Sequence, residues 1–260
     1  VTRTRVPGGA RPVSSAWRAL DEVHGDDAEF DPSVYAHLPD TAQRWLRSSI
    51  AAGSPTAHGV RLSMTGSILL RAWRPFRAEQ ILVPGRGFIW AARTSMSGLP
   101  VTGFDRFTDG QGEMRWKLGG LVPVMSAQGP DVTRSAAGRL AAESVLVPPA
   151  CVSGVARDMV TWTDIDDSRV GLRWALPGGT TDDITLQVSA TGAPERVTMQ
   201  RWGDPFERGF GRYGFVVELS GQRSFGGISI PTQWAARWED PRDGTRSEFF
   251  RACVDEAGYR

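Results

Sequence analysis

Along most of the chain after residue 60, apolar residues recur at every second position, and that period limits the possible folds more than any other feature. Val60, Leu62, Met64, Gly66, Ile68 and Leu70 alternate with Arg61, Ser63, Thr65, Ser67, Leu69 and Arg71. Such a run is a strand with one buried face. Residues 78–83 and 87–93 read as a hairpin around Pro84-Gly85-Arg86, and residues 99–107 read as another strand. Asp109-Gly110-Gln111-Gly112 then turns the chain into the alternation of Met114, Trp116 and Leu118. The period returns with Val160 and Trp162, with Val170, Leu172, Trp174 and Leu176, and with Ile184, Leu186, Val188 and Ala190. Further runs lie at 197–202, 214–219, 225–230, 232–238 and 246–254. Strands spaced by roughly 8–12 residues with turn signals between them form antiparallel sheets or barrels. About ten to twelve of them are too many for a flat open sheet, so the sheet is expected to curl or close.

Three helices are expected around this pattern. The firmest lies near 40–52, with Asp40 as N-cap and Gln43 three residues on, as in a capping box. The second spans about 131–147, opened by Pro130-Asp131 and stopped by Pro148-Pro149. A short one is possible at 15–23, where Trp17 and Leu20 stand three apart. Residues 1–30 read as a weakly structured segment, and 31–260 as one β-rich domain. The fold class is mainly β: a strongly curved antiparallel sheet or incomplete β-barrel, with a helix across its concave face and an N-terminal helix.

Charge excludes some partners. Lys plus Arg is 30 and Asp plus Glu is 29, a net charge of +1, so no global field draws the chain to nucleic acid. Lys117 is the one lysine and asparagine is absent, a pattern of GC-rich coding that empties arginine abundance of functional meaning. Cys151 and Cys253 make no disulfide framework; they read as small buried hydrophobes, with a single bridge left open. No window approaches 18 apolar residues, so no integral membrane segment is expected, and the chain reads as soluble and cytoplasmic.

Motif chemistry is sparse. Gly209-Phe210-Gly211-Arg212-Tyr213-Gly214 fits GxGxxG but leads into a strand, where a dinucleotide site requires a helix. His24, His37 and His58 are scattered, and no CxxC or HExxH occurs, so neither a metal nor a cofactor is expected. Asp105 on a strand and Glu143 on the central helix are the acid–base candidates. Arg139 stands four residues before Glu143, within reach of a local ion pair.

The ten tryptophans carry more information. Phe88 and Trp90 share a strand face, and Trp116, Trp162 and Trp174 sit on the apolar sides of other strands. They either fill the hollow of the sheet as core or line a cavity for an apolar ligand. In the second reading Phe88, Trp90, Trp116, Trp162 and Trp174 bind the ligand and Arg139 meets its polar head group. The function is then non-catalytic binding of a hydrophobic small molecule or lipid. The alternative is a cofactor-free isomerase, cyclase or hydrolase using Asp105 and Glu143. An interaction module, the third possibility, predicts an exposed apolar patch.

Several short segments carry a family likeness: Gly87-Phe88-Ile89-Trp90-Ala91-Ala92, Val101-Thr102-Gly103-Phe104-Asp105, Gly138-Arg139-Leu140-Ala141-Ala142-Glu143 with Pro148, Ile230-Pro231, and the Trp238 strand leading to Phe249-Phe250. Over about residues 35–255 the chain resembles a widespread family of uncharacterised bacterial proteins, a domain of unknown function. Its strand–helix–strand order is similar to the half-barrel of bacterial lipoprotein carriers. That resemblance implies a curved sheet wrapped around a helix.

Overall fold

The computed structural model describes residues 5–25 and 28–260. Residues 1–4 and 26–27, which belong to the N-terminal segment, lie outside the described residues. The strands are β1 (Val60–Leu70), β2 (Ala72–Val83), β3 (Gly87–Met96), β4 (Leu99–Thr108), β5 (Gln111–Leu118) and β6 (Val122–Gln128). After the helix come β7 (Val160–Asp166), β8 (Arg169–Leu176), β9 (Thr180–Val188), β10 (Pro194–Gly203), β11 (Gly211–Phe225), β12 (Ile228–Glu239) and β13 (Arg246–Tyr259). All thirteen form one sheet of order β6-β5-β4-β3-β2-β1-β13-β12-β11-β10-β9-β8-β7. It is two antiparallel meanders, β1–β6 and β7–β13, joined where β1 pairs with β13.

Helix α3 (Pro130–Glu143) connects the two outer strands and explains the curvature. It packs against β4, β5 and β6 and also against β8, β9 and β10. A helix about 10–12 Å across can touch both flanks of so wide a sheet only if the sheet curls around it. The result is a half-barrel with α3 on its concave side. Gly138 permits the close approach, since a Cβ there would come within 3.3 Å of the Arg201 and Met199 side chains.

Helix α2 (Asp40–Ser49) adds Trp45 and Leu46 to the same inner core. Asp40 is the first helical residue, preceded by Pro39, and Gln43 donates to the carbonyls of Ala36 and Leu38, so the expected capping box is absent. Helix α3 stops at Glu143, earlier than expected, and continues as a single 3-10 turn, Ser144–Leu146, before Pro148.

Two further expectations change. The run at 225–230 is no separate strand: Gly226-Gly227, at φ 58° and 88°, forms a tight turn between the end of β11 and the start of β12. Strand β6 escaped the periodicity argument because it is largely exposed on both faces and carries no buried alternation.

The N-terminal segment is more ordered than its pattern implied. A 3-10 turn, Gly8–Val13, leads into α1 (Ser14–Asp21). Together they cover the convex face of β2–β4, burying Val13, Trp17 and Leu20 against Ile81, Ile89 and Phe104. The cause is legible in β3, where residues 87–92 are buried without a break, as in a strand covered on both faces. No helix among the described residues is long and apolar enough to cross a membrane.

Candidate functional site

Strand register determines what faces α3. Leu62, Gln80, Trp90, Asp105 and Met114 form one row across β1–β5, and Met64, Ala78, Ala92, Gly103 and Trp116 form the next. The two rows bring Asp105 and Trp116 together, and the Trp116 Nε1 donates to Asp105 Oδ1 at 2.9 Å. Gly103 makes room for that indole, since a Cβ there would meet the ring at 2.7 Å.

From α3, Arg139 reaches into this cluster. It donates to Glu143 Oε1 at 2.7 Å and to Asp105 Oδ2 at 3.3 Å. Gln80 donates to Glu143 Oε2 at 2.5 Å. All four oxygens of the two carboxylates are therefore engaged. The Arg139 guanidinium also lies 4.6 Å from the Phe88 ring centroid and 5.3 Å from that of Trp90. Burial raises the Asp105 carboxyl above its ordinary value, against the opposing pull of Arg139 and the Trp116 hydrogen bond.

Arg201 on β10, not singled out by its sequence context, completes the cluster from the other flank. It donates to the Ser135 carbonyl of α3 at 3.2 Å and sits 4.8 Å and 5.1 Å from the ring centroids of Phe215 and Trp238. Among the described residues it forms no ion pair within 4.0 Å. Burial, reinforced by the nearby charge of Arg139, pushes it down to about 10, with Glu143, Asp182 and Asp105 opposing. Its neighbour Asp182 is fully buried and already committed to Arg134 and Arg212.

An aromatic seam links the two arginines. Trp116, Trp90, Phe76, Phe250, Phe249, Trp238 and Phe215 follow one another with ring centroids 4.9–6.3 Å apart. Phe249 joins it because the β12–β13 pairing is irregular between Ala236 and Arg237. Trp116, Trp238, Phe249 and Phe250 are only partly buried. The Trp90 Nε1 and Gln80 Oε1 are buried without a partner, on residues that pair directly across β2 and β3.

The six predicted ligand residues thus divide. Phe88, Trp90, Trp116 and Arg139 come together, with Asp105 and Glu143 beside them. Phe88 and Trp90 expose 1% and 3% of their surface and serve as the floor. Trp162 and Trp174 lie on β7 and β8 at the far edge of the sheet: Trp162 packs on Trp45 with ring centroids 6.1 Å apart, and Trp174 is fully enclosed at 0% exposure. Trp174 is sealed in the core, and Trp162 is partly buried against it. Two open depressions, of about 490 and 590 Å³, share Thr65 and Gly66 and include none of the six. Cys151 is buried, which raises its thiol well above the ordinary range, and Cys253 is exposed; the two are unbonded. No group of three or more His, Cys, Asp or Glu suited to a metal occurs among the described residues.

With this geometry in place, comparison with known proteins gives one family. The model for a family of unknown function, DUF6544, matches residues 28–251. The chain belongs to DUF6544. The match covers the first meander, α3 and the second meander as far as the first half of β13, but begins after α1, so the N-terminal layer lies outside the part matched to DUF6544. No curated protein matches the chain. Among solved structures, this DUF6544 chain is similar to an outer membrane lipoprotein-sorting protein domain, described as putative, from Vibrio parahaemolyticus, at 11% identity over 78% of this chain and 85% of the other, TM-score 0.43. It is similar to a LolA superfamily protein from Nitrosomonas europaea at 12% identity, over 85% and 94% of the two chains, TM-score 0.41. A β-barrel-like protein of another domain of unknown function, from Brucella abortus, aligns at 9% identity over 78% and 98%, TM-score 0.29.

Proposed function

We propose that the chain binds a hydrophobic small molecule or lipid, without catalysis, along the partly exposed aromatic seam of its concave face. One observation carries the reading: Arg201 is a half-buried cation with no carboxylate within 4.0 Å among the described residues, held between Phe215 and Trp238 at the end of that seam. A largely desolvated charge with no carboxylate in direct contact costs folding energy, and an amphiphile's anionic or polar head would supply the missing partner. Arg139, Trp90 Nε1 and Gln80 Oε1 offer further polar contacts, and Trp116, Trp238, Phe249 and Phe250 offer the apolar track.

The narrower site is therefore Trp90, Trp116, Arg139, Arg201, Trp238 and Phe250. The acid–base alternative has less support, because Asp105 and Glu143 spend all four oxygens on Trp116, Arg139 and Gln80. We assign the chain to the cytoplasm on the same footing, since two unbonded cysteines suit a reducing compartment.

Native mass spectrometry of the purified full chain, followed by solvent extraction, tests the reading. An amphiphile should co-purify, and a fluorescent fatty acid should be taken up with quenching of Trp116 and Trp238 emission. A chain that carries nothing and takes up no fluorescent fatty acid contradicts it.

A further inference from the structure

Exposed apolar side chains are concentrated at one place on this molecule. Three consecutive hairpins, β1–β2, β3–β4 and β5–β6, turn at the same edge of the sheet. Their tips carry Leu70 and Trp73, Met96 and Leu99, and Leu121 and Val122, exposed by between 37% and 82%. Among the described residues, every other exposed large hydrophobic residue lies in these hairpins as well, except Ile165 and Phe210. The turns are tight, with Arg71 at φ 59°, Ser97-Gly98 at 52° and 80°, and Gly119-Gly120 at 59° and 77°, so the apolar residues flank the very ends. Alternate hairpins of one sheet stand about 10 Å apart, which spaces the tips as a row rather than a flat patch.

Charge follows the same edge. Residues 66–77, 93–102 and 117–126 contain Arg71, Arg74, Arg77, Arg93 and Lys117 and no acidic residue, in a chain whose total net charge is only +1. None of the five forms an ion pair among the described residues. Arg77 and Arg93 pair directly across β2 and β3, an arrangement that is unfavourable without an anion. They help line the open depression of about 590 Å³, with Thr65, Thr94 and Ser95.

We propose that this edge docks on the surface of a lipid bilayer bearing anionic headgroups. The hairpin tips enter the interfacial layer, and the five cations meet lipid phosphates from the side. The edge adjoins the aromatic seam, since Phe250 pairs with Ile68, two residues before Leu70. Docking there would set the open seam against the membrane. The proposal rests on the tips and their charge, independently of whether the seam holds a ligand.

Co-sedimentation of the full chain with phosphatidylcholine vesicles, with and without phosphatidylglycerol, tests it. The chain should pellet with the anionic vesicles, and added salt should release it. Combined Arg77→Gln, Arg93→Gln and Lys117→Gln should weaken partitioning by about a hundredfold, given the usual contribution of each basic residue near a charged surface. Leu99→Ser with Leu121→Ser and Val122→Ser should weaken it as well, whereas Ile165→Ser with Phe210→Ser should leave it unchanged. Lys117 is half-buried and the other positions are exposed, and an unchanged melting temperature confirms the fold of each variant. The proposal is overturned if the chain ignores anionic vesicles or if the charge variant binds them like wild type. It is equally overturned if the tip variant dissociates a dimer while vesicle binding stays absent, which would make the edge a protein interface.

Discussion

Replacing Arg201 with methionine should stabilise the empty protein while removing its ligand. Methionine keeps an unbranched apolar stem like that of arginine but is shorter and drops the charge. Burial and the nearby charge of Arg139 push the guanidinium below the ordinary arginine range, down to about 10. At about 1.4 kcal/mol per unit, holding it charged in the fold costs about 3 kcal/mol at neutral pH. That cost is fully present below about pH 10, where folded and unfolded chains are both protonated. Part of the side chain remains open to water, which reduces the figure to about 2 kcal/mol. Against it stand a hydrogen bond to Ser135, worth about 1 kcal/mol, and the contacts with Phe215 and Trp238, of which a methionine thioether recovers a share. The net expectation is a change from about zero to 1 kcal/mol in favour of the variant. In a domain of this size that raises the melting temperature by up to about 4 °C. Differential scanning calorimetry on delipidated protein measures it, with uptake of the fluorescent fatty acid measured alongside. A loss of 2 kcal/mol or more in the variant would show that Arg201 is a structural strut, and unchanged uptake would show that it does not serve the ligand; either result refutes the reasoning.

Two more outcomes follow from the same contacts. Burial raises the Asp105 carboxyl, so the folded state keeps a proton that the unfolded chain has already released above about pH 3.9; stability therefore falls as pH rises from there through the folded-state value. Asp105→Asn should flatten that slope in thermal melts across the acid range, and an unaltered slope would place its origin elsewhere. Trp17→Ala should cost about 3–5 kcal/mol, because the indole is buried between α1 and the convex face of the sheet. Denaturant titration reads the change, and a cost below about 1 kcal/mol would mean that the N-terminal layer is loosely held.

The strand-rich character of the chain was plain in the sequence because period two is local: each strand announces its buried face through its own residues. The hairpin at Pro84-Gly85-Arg86 and the turn at Asp109-Gly110 were equally readable from turn chemistry. Strand β6 was not, since an exposed edge strand carries no alternation. The split among the tryptophans was also hidden. Trp116 and Trp174 sit on similar alternating strands, yet one borders the open seam and the other is sealed in the core. Arg201 gave no signal at all, being one arginine among many until β10 and α3 meet.

Alternation and turns thus determined, from sequence alone, that this chain makes a long antiparallel sheet with one helix crossing it. Only the tertiary structure decided how far the sheet curls, which in turn decided that α3 touches both flanks and carries Arg139 to Asp105 on one side and Ser135 to Arg201 on the other. Those contacts join residues 34 to 66 positions apart, and no local pattern encodes a distance that depends on the accumulated twist of thirteen strands.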